Sequence, residues 1–299
     1  MRLAHCSDLH LLSHDHLGAR EIANKRWIGA MNLVANRGRH HIVAAFDAMI
    51  DDLNALGVEH VLCTGDVTNL ALLREFEFAR ARFDRLAGGP RAVTVIPGNH
   101  DAYIAEGVAH FAATFAPYCE PDDDWRWTAA DADGSDDDLR WPIVRVRGEL
   151  ALIGMSTSRA TPWFTAYGEC GVGQLVRVGR ALADDRLRGK VRVVAIHHPP
   201  AGKRAESRIR GLHDHDAFAR VIAEVGAELV VHGHEHRCMI EELPGPSGAV
   251  RVQGIASGTY ARDTAAHPSA RYRVYEIVGG KIASEAVRRW REDYGIPPA

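Results

Sequence analysis

The sequence predicts an α/β fold built largely on parallel strands, and three observations predict it. Short apolar runs recur along the chain, helical patterns lie between several of them, and polar residues of ligand type come after most of the runs. The runs are Leu3–Cys6, His60–Cys63, Ala92–Ile96, Leu150–Gly154, Val191–Ile196 and Leu229–Val231. Several are nearly continuous in Val, Leu and Ile, as strands covered on both faces tend to be. Among the helical patterns, Ile42–Leu56 places Ile42, Phe46, Met49, Ile50 and Leu53 on one side and stops at Gly57. Arg74–Leu86 and Ala217–Val225 read the same way, which argues for βαβ units.

Beyond residue 236 the character changes. "CMIEELPGPSGAVRVQGIASG" reads as two strands around a Pro/Gly turn, and "YRVYEIVGGKIASEAV" as a hairpin turning at Gly279–Gly280. Residues 237–299 are therefore expected to add antiparallel strands to a sheet. With no internal repeat and no linker, residues 1–299 are expected to form one domain.

Composition narrows the class. The 299 residues are 46% hydrophobic and 25% charged, ordinary for a soluble globular chain. A net charge of −3 gives no reason to expect nucleic-acid binding. No apolar stretch approaches a membrane span, the N-terminus does not read as a signal peptide, and membrane association is not expected. Five scattered cysteines without a CxxC fit free thiols in a cytoplasmic setting.

The functional signal lies just past the strand ends. After the first strand comes "SDLH", after the second "TGDVTN", after the third "PGNHD", after the fifth "HHPP" and after the sixth "HGHEH". Five such clusters at the carboxyl ends of strands fall where ligands bind in open α/β sheets. The set is Asp8, His10, Asp66, Asn99, His100, His197, His234 and His236. Mixed carboxylate, imidazole and amide donors suit Mn, Fe or Zn rather than a closed cysteine-rich zinc site. They are too many for one ion, whereas two ions sharing a carboxylate would use them all and could clamp an in-line displacement at phosphorus.

The five motifs resemble those of the calcineurin-like metallophosphoesterases, in family order and over residues 1–236. The resemblance implies a four-layer α/β/β/α sandwich of two mixed sheets flanked by helices. It further implies one divalent ion on Asp8, His10, Asp66 and His236, a second on Asp66, Asn99, His197 and His234, and Asp66 bridging them. The glycines before Asp66, Asn99 and His234 would allow sharp turns beside the ions. A hydroxide between the ions would attack phosphorus, His100 would meet the leaving oxygen, and Asp101 would orient His100.

Within the family the plain layout looks like the bacterial cyclic-nucleotide phosphodiesterase branch. The expected activity is hydrolysis of a small phosphodiester such as a 3′,5′-cyclic nucleotide. Ala102-Tyr103 after the GNHD motif depart from an arginine that some of those enzymes carry there. Asn69 and Leu70 depart from the GDxxDRG of protein phosphatases, which argues against phosphoprotein substrates. A phosphomonoesterase or nucleotidase, a lipid-linked pyrophosphatase, and a non-catalytic metal-binding scaffold are the alternatives; a homo-oligomer is compatible with all of them.

Other residues carry weaker expectations. His232 reads as structural, and His198 as a neighbour of the ligand His197 that could touch substrate. Arg159, Lys203 and Arg204, with Arg208 and Arg210, could meet an anionic substrate. The acidic stretch 121–138 reads as a solvated insertion packed down by Trp125 and Trp127. Asn24–Arg39 carries Trp27, Met31 and Val34 at helical spacing among basic residues, and reads as a lid or dimer contact; His14 and His16 read as solvated loop residues.

Overall fold

The computed structural model describes residues 1–11, 26, 41–132, 138–264 and 267–295. The expectations for His14, His16 and, apart from Arg26, the 24–39 segment lie outside the described residues, as does the 133–137 part of the acidic stretch.

Two mixed sheets form. The first is ordered β11-β10-β1-β2-β3, from β1 (Arg2–Cys6), β2 (His60–Cys63), β3 (Val93–Val95), β10 (Arg271–Val278) and β11 (Lys281–Arg289). The second is ordered β4-β5-β6-β7-β9-β8, from β4 (Ile143–Arg147), β5 (Leu150–Gly154), β6 (Val191–Ala195), β7 (Leu229–His232), β8 (Met239–Leu243) and β9 (Val250–Gly254). β1, β2 and β3 run parallel, as do β5, β6, β7 and β9, so their carboxyl ends lie along common edges. The C-terminal strands divide between the sheets. β10 pairs antiparallel with β1 and β11 antiparallel with β10 in the first, whereas in the second β9 joins β7 in parallel and β8 pairs antiparallel with β9.

Alternation along the strands builds the layers. Leu150, Leu152, Val191, Val193, Leu229 and Val231 of the second sheet share a core with the first sheet. Ala151, Ile153, Val194 and Val230, pointing the other way, pack with the helices α4 (Val172–Ala183) and α5 (His215–Val225). On the outer side of the first sheet, α1 (Val43–Ala55), α2 (Leu73–Phe83) and α3 (Ala105–Thr114) bury Phe46, Met49, Leu53, Phe76, Phe83 and Phe111. This is the four-layer sandwich. Arg145 on β4 ties the sheets together. Its buried guanidinium donates to the carbonyls of Val93 (2.6 Å), Pro90 (2.9 Å) and Glu120 (2.7 Å).

The described start of the acidic stretch is anchored as its tryptophans suggested. Trp125 is buried under the Arg186 guanidinium, and Trp127 Nε1 donates to the Pro142 carbonyl at 2.6 Å. Among the described residues, no helix is long and apolar enough to cross a membrane. All five cysteines are free.

Candidate metal centre

The parallel pairing of β1 with β2 carries on past the strand ends and brings two motifs together. The amides of Asp8, His10 and Leu11 donate to the carbonyls of Gly65, Asp66 and Val67, each at 2.9 Å. The GNHD loop closes on the same point, where His100 N–H donates to Asp66 Oδ1 at 2.7 Å. From the second sheet, His234 N–H donates to the Asp8 carboxylate at 3.0 Å.

Sharp turns were expected at the glycines, and only Gly65 (φ +97°) supplies one. The left-handed residues are instead the candidate donors Asp8, His10, Asp66, His234 and His236, with φ between 44° and 69°. Positive φ is uncommon outside glycine and concentrates at functional sites. Gly98 and Gly233 serve close approach. A Cβ on Gly98 would strike the Asp66 backbone and carboxylate, and one on Gly233 the Ser7 hydroxyl.

Two donor sets result. In one, Asp8, His10, Asp66 and His236 offer ligand atoms within 4.8 Å of one another. His236 Nε2 stands 3.3 Å from Asp8 Oδ1 and 3.1 Å from His10 Nε2, and His10 Nε2 stands 3.8 Å from Asp66 Oδ2. In the other, Asn99 Oδ1 lies 2.7 Å from His234 Nδ1 and 3.1 Å from His197 Nε2, which is 3.5 Å from Asp66 Oδ1. The two oxygens of Asp66 thus face different sets.

The hydrogen-bond chemistry tests whether cations fit. His197 Nδ1 is 2.6 Å from the Thr64 carbonyl and His10 Nδ1 is 3.2 Å from the Thr68 carbonyl. A carbonyl only accepts, so both Nδ1 atoms carry the proton and each neutral ring turns the Nε2 lone pair inward. These lone pairs meet carboxylate and amide oxygens, acceptors against acceptors, which a cation between them would reconcile. Carbonyl-anchored imidazoles are the usual support of metal-bound histidines. Neighbouring ligands about 2.1 Å from an ion stand roughly 3.0–3.4 Å apart, close to the spacing seen. Burial holds the His197 and His234 pKa values below the ordinary one, keeping them in the neutral, ligand form. Burial opposes ionisation of Asp8, yet its electrostatic and hydrogen-bonding interaction with the His236 ring outweighs it and holds that carboxyl well below its usual range.

His100 sits against the first set, edge-on to the His10 ring at 4.8 Å. Its Nδ1 donates to the Asn69 carbonyl at 2.8 Å. Asp101 was expected to orient it, but the Asp101 carboxylate instead accepts from the amides of Gly98 (2.9 Å), Thr68 (3.0 Å) and Val67 (3.2 Å) and from the Thr68 hydroxyl. It ties two motif loops together, and burial pushes its pKa up to about 6 against those bonds.

The expected substrate contacts are less well placed. His198 is fully buried, with Nδ1 2.7 Å from the Thr157 hydroxyl and Nε2 donating to the Ala166 carbonyl at 3.1 Å. Although its position groups it with His197 and His234, neither nitrogen is left for an ion or a substrate. Arg159 pairs with Glu169, and Arg204 lies 3.3 Å from Glu235; both guanidiniums and Lys203 are exposed. His232 is buried, with Nδ1 donating to the Gly233 carbonyl at 3.0 Å.

Three residues support the site in ways that the sequence does not show. Asn69, a mismatch to the protein-phosphatase motif, donates from Nδ2 to the His10 carbonyl at 2.6 Å. Ser257 donates to the Asp8 carbonyl at 2.7 Å, and Thr259 to the Leu9 carbonyl at 2.6 Å. They lie after β9, where "SGTY" has no ligand-type residue to flag it.

A family model of calcineurin-like phosphoesterases matches residues 1–238. Similar solved structures include a dimetal phosphatase from Danio rerio, 12% identical, with a TM-score of 0.58 and coverage of 96% of this chain and 98% of that one. A purple acid phosphatase from yellow lupin seeds is 10% identical, with a TM-score of 0.55 over 97% of this chain and 54% of the other. A sulfate thiohydrolase from Thermus thermophilus in complex with glycerol is 17% identical, with a TM-score of 0.51 over 96% and 56%. At these identities the likeness is one of fold, and the chain spans little more than half the length of the last two. A search of curated proteins gives no significant match.

Proposed function

The chain belongs to the calcineurin-like phosphoesterase family, whose members use two divalent metal ions, and from that premise we propose that it is a phosphodiesterase acting on a small phosphodiester. The observation that carries the reading is the pair of donor sets meeting at Asp66, with inward lone pairs that bound cations would reconcile. Asp8, His10, Asp66 and His236 would hold one ion, and Asp66, Asn99, His197 and His234 the other. When bound, such ions lower the pKa of water and offset charge on phosphoryl oxygens.

The chain's own residues do the rest. Thr64 and Thr68 fix the His197 and His10 tautomers through their carbonyls, so these rings need not reorganise on loading. His100, anchored through Nδ1, has Nε2 as the nitrogen to protonate a leaving oxygen. Asp101 and Asn69 hold the loops under these groups. Arg159 and Arg204 are each committed to a glutamate, so a second negative charge on phosphorus would find less compensation from them. That favours a singly charged diester, of which a 3′,5′-cyclic nucleotide is one form.

A cavity of about 660 Å³ beside the Pro97–Asp101 loop, walled by Phe111, Trp127 and Trp141, favours a second reading, a diphosphate bearing an apolar group. Hydrolysis of bis-p-nitrophenyl phosphate and p-nitrophenyl phosphate, each with Mn²⁺ and after metal stripping, tests the main reading. It expects a diester preference that stripping abolishes and Mn²⁺ restores. Preference for the monoester would overturn it in favour of a phosphatase or nucleotidase.

A further inference from the structure

His41 is buried at the edge of the first donor set, in a stretch where no motif draws attention to it. Its ring packs edge-on to His10 at 4.8 Å and to His236 at 5.9 Å, and the three histidines offer ligand atoms within 4.8 Å of one another. Donors on opposite sides of an ion at about 2.1 Å stand about 4.2 Å apart, so modest closure would bring all three onto one cation.

The neighbours of His41 fix its tautomer. His41 Nδ1 lies 2.8 Å from the Thr259 hydroxyl. That hydroxyl has one hydrogen, and it goes to the Leu9 carbonyl at 2.6 Å. Thr259 must therefore accept from His41, which places the imidazole proton on Nδ1 and the lone pair of the neutral ring on Nε2. This is the arrangement already seen at His10 and His197, with a hydroxyl in place of a carbonyl. The backbone reinforces it. Ile42 N–H donates to the Thr259 carbonyl at 3.0 Å, His41 bridges Tyr260, and the Tyr260 ring packs edge-on to His41. The Leu9 carbonyl that receives the Thr259 hydrogen lies between Asp8 and His10, so one hydroxyl holds both the donor loop and the His41 ring.

We propose that His41 is a further nitrogen donor to the ion held by Asp8, His10, Asp66 and His236, with Thr259 setting its tautomer. The proposal rests on the two-ion reading above. His41 approaches from the His10 and His236 side, the two residues that the three-histidine group shares with that set.

The test is metal binding rather than turnover. Metal-free wild-type, H41A, T259V and T259S proteins are titrated calorimetrically with Mn²⁺ and Zn²⁺, and their ion content is measured after gel filtration. H41A should lose about 10–100-fold or more in affinity at one ion and keep the other. T259V, which keeps the shape but not the hydroxyl, should lose less in the same direction, and T259S should restore binding. Should H41A fail to fold, H41Q, which can still donate to the Thr259 hydroxyl but carries no imidazole lone pair, takes its place. Unchanged affinities in folded H41A, or T259V indistinguishable from T259S, would overturn the role of His41 while leaving the two-ion reading intact. A wild-type chain that takes up fewer than two ions would overturn both.

Discussion

Two groups of buried histidines divide this molecule, and their difference is instructive. His5 on β1, His60 on β2 and His232 on β7 lie within the sandwich; His10, His197 and His234 lie in the loops at the strand ends. All are buried to nearly the same degree. The interior ones have isolated partners. His5 Nε2 meets the Thr64 hydroxyl and His60 Nε2 the Thr94 hydroxyl, each at 2.9 Å. Burial pushes their pKa values down to about 3, and that of His232 to about 4. Of the loop histidines, His10 and His197 each spend Nδ1 on a carbonyl, and all three turn toward other donor atoms of the two sets. A count of histidines, or their burial, would not separate the groups; the convergence of lone pairs does.

The largest expected effect breaks the centre of that convergence. Asp66 faces both donor sets with its two carboxylate oxygens, so Asp66→Ala should remove both ions and lower phosphoesterase activity beyond the roughly 10²–10⁴-fold typical of a lost general acid. Metal analysis beside kinetics checks it, and an Asp66→Ala protein retaining two ions would contradict the bridge. His100→Ala comes next. It should cost about 10²–10⁴ in kcat while both ions stay, because His100 lends no ligand atom to either set. Loss of metal in that variant would reassign His100 to the donors. Asn69→Ala removes the Nδ2 bond to the His10 carbonyl but keeps the Asn69 carbonyl that anchors His100. A loss of about 10–100-fold in affinity for one ion is expected, and calorimetry would detect it.

The same contrast explains which parts of the molecule are legible in the sequence. β1, β2, β5, β6 and β7 are legible because strands covered on both faces need continuous apolar runs, and the donors are legible because carboxyl ends of parallel strands share an edge. The helix Val172–Ala183 is not, since Gly173, Gly179 and three valines argue against a helix locally. It forms because Leu175, Val178 and Leu182 pack on the second sheet and the buried Arg177 Nε donates to the Trp141 carbonyl at 2.9 Å. β4 is hidden because Arg145 and Arg147 interrupt what would otherwise be a continuous apolar run, and their partners lie in distant loops. At the site, donors are legible and their supports are not. Ser257, Thr259 and Asn69 act by hydrogen-bonding carbonyls far away in the chain, and nothing in a hydroxyl or an amide announces such a partner.

The smallest effect concerns the interior group and would sharpen the comparison by leaving the site untouched. His60 is hydrogen-bonded to Thr94 away from both donor sets, and its pKa falls from the ordinary 6.5 to about 3 on folding. The folded state therefore refuses a proton that the unfolded chain accepts below pH 6.5. The contribution to stability is complete above pH 6.5 and is lost progressively as pH falls toward 3, at up to about 1.4 kcal/mol per pH unit for one such group. His5 adds the same sign. Guanidinium midpoints measured from pH 7 to pH 4 should fall for the wild-type chain and fall less steeply for His60→Gln, with metal affinity at pH 7 equal in the two. An equal slope in the variant would mean that His60 takes its proton in the folded state, and that the interior histidines differ less from the loop histidines than their surroundings indicate.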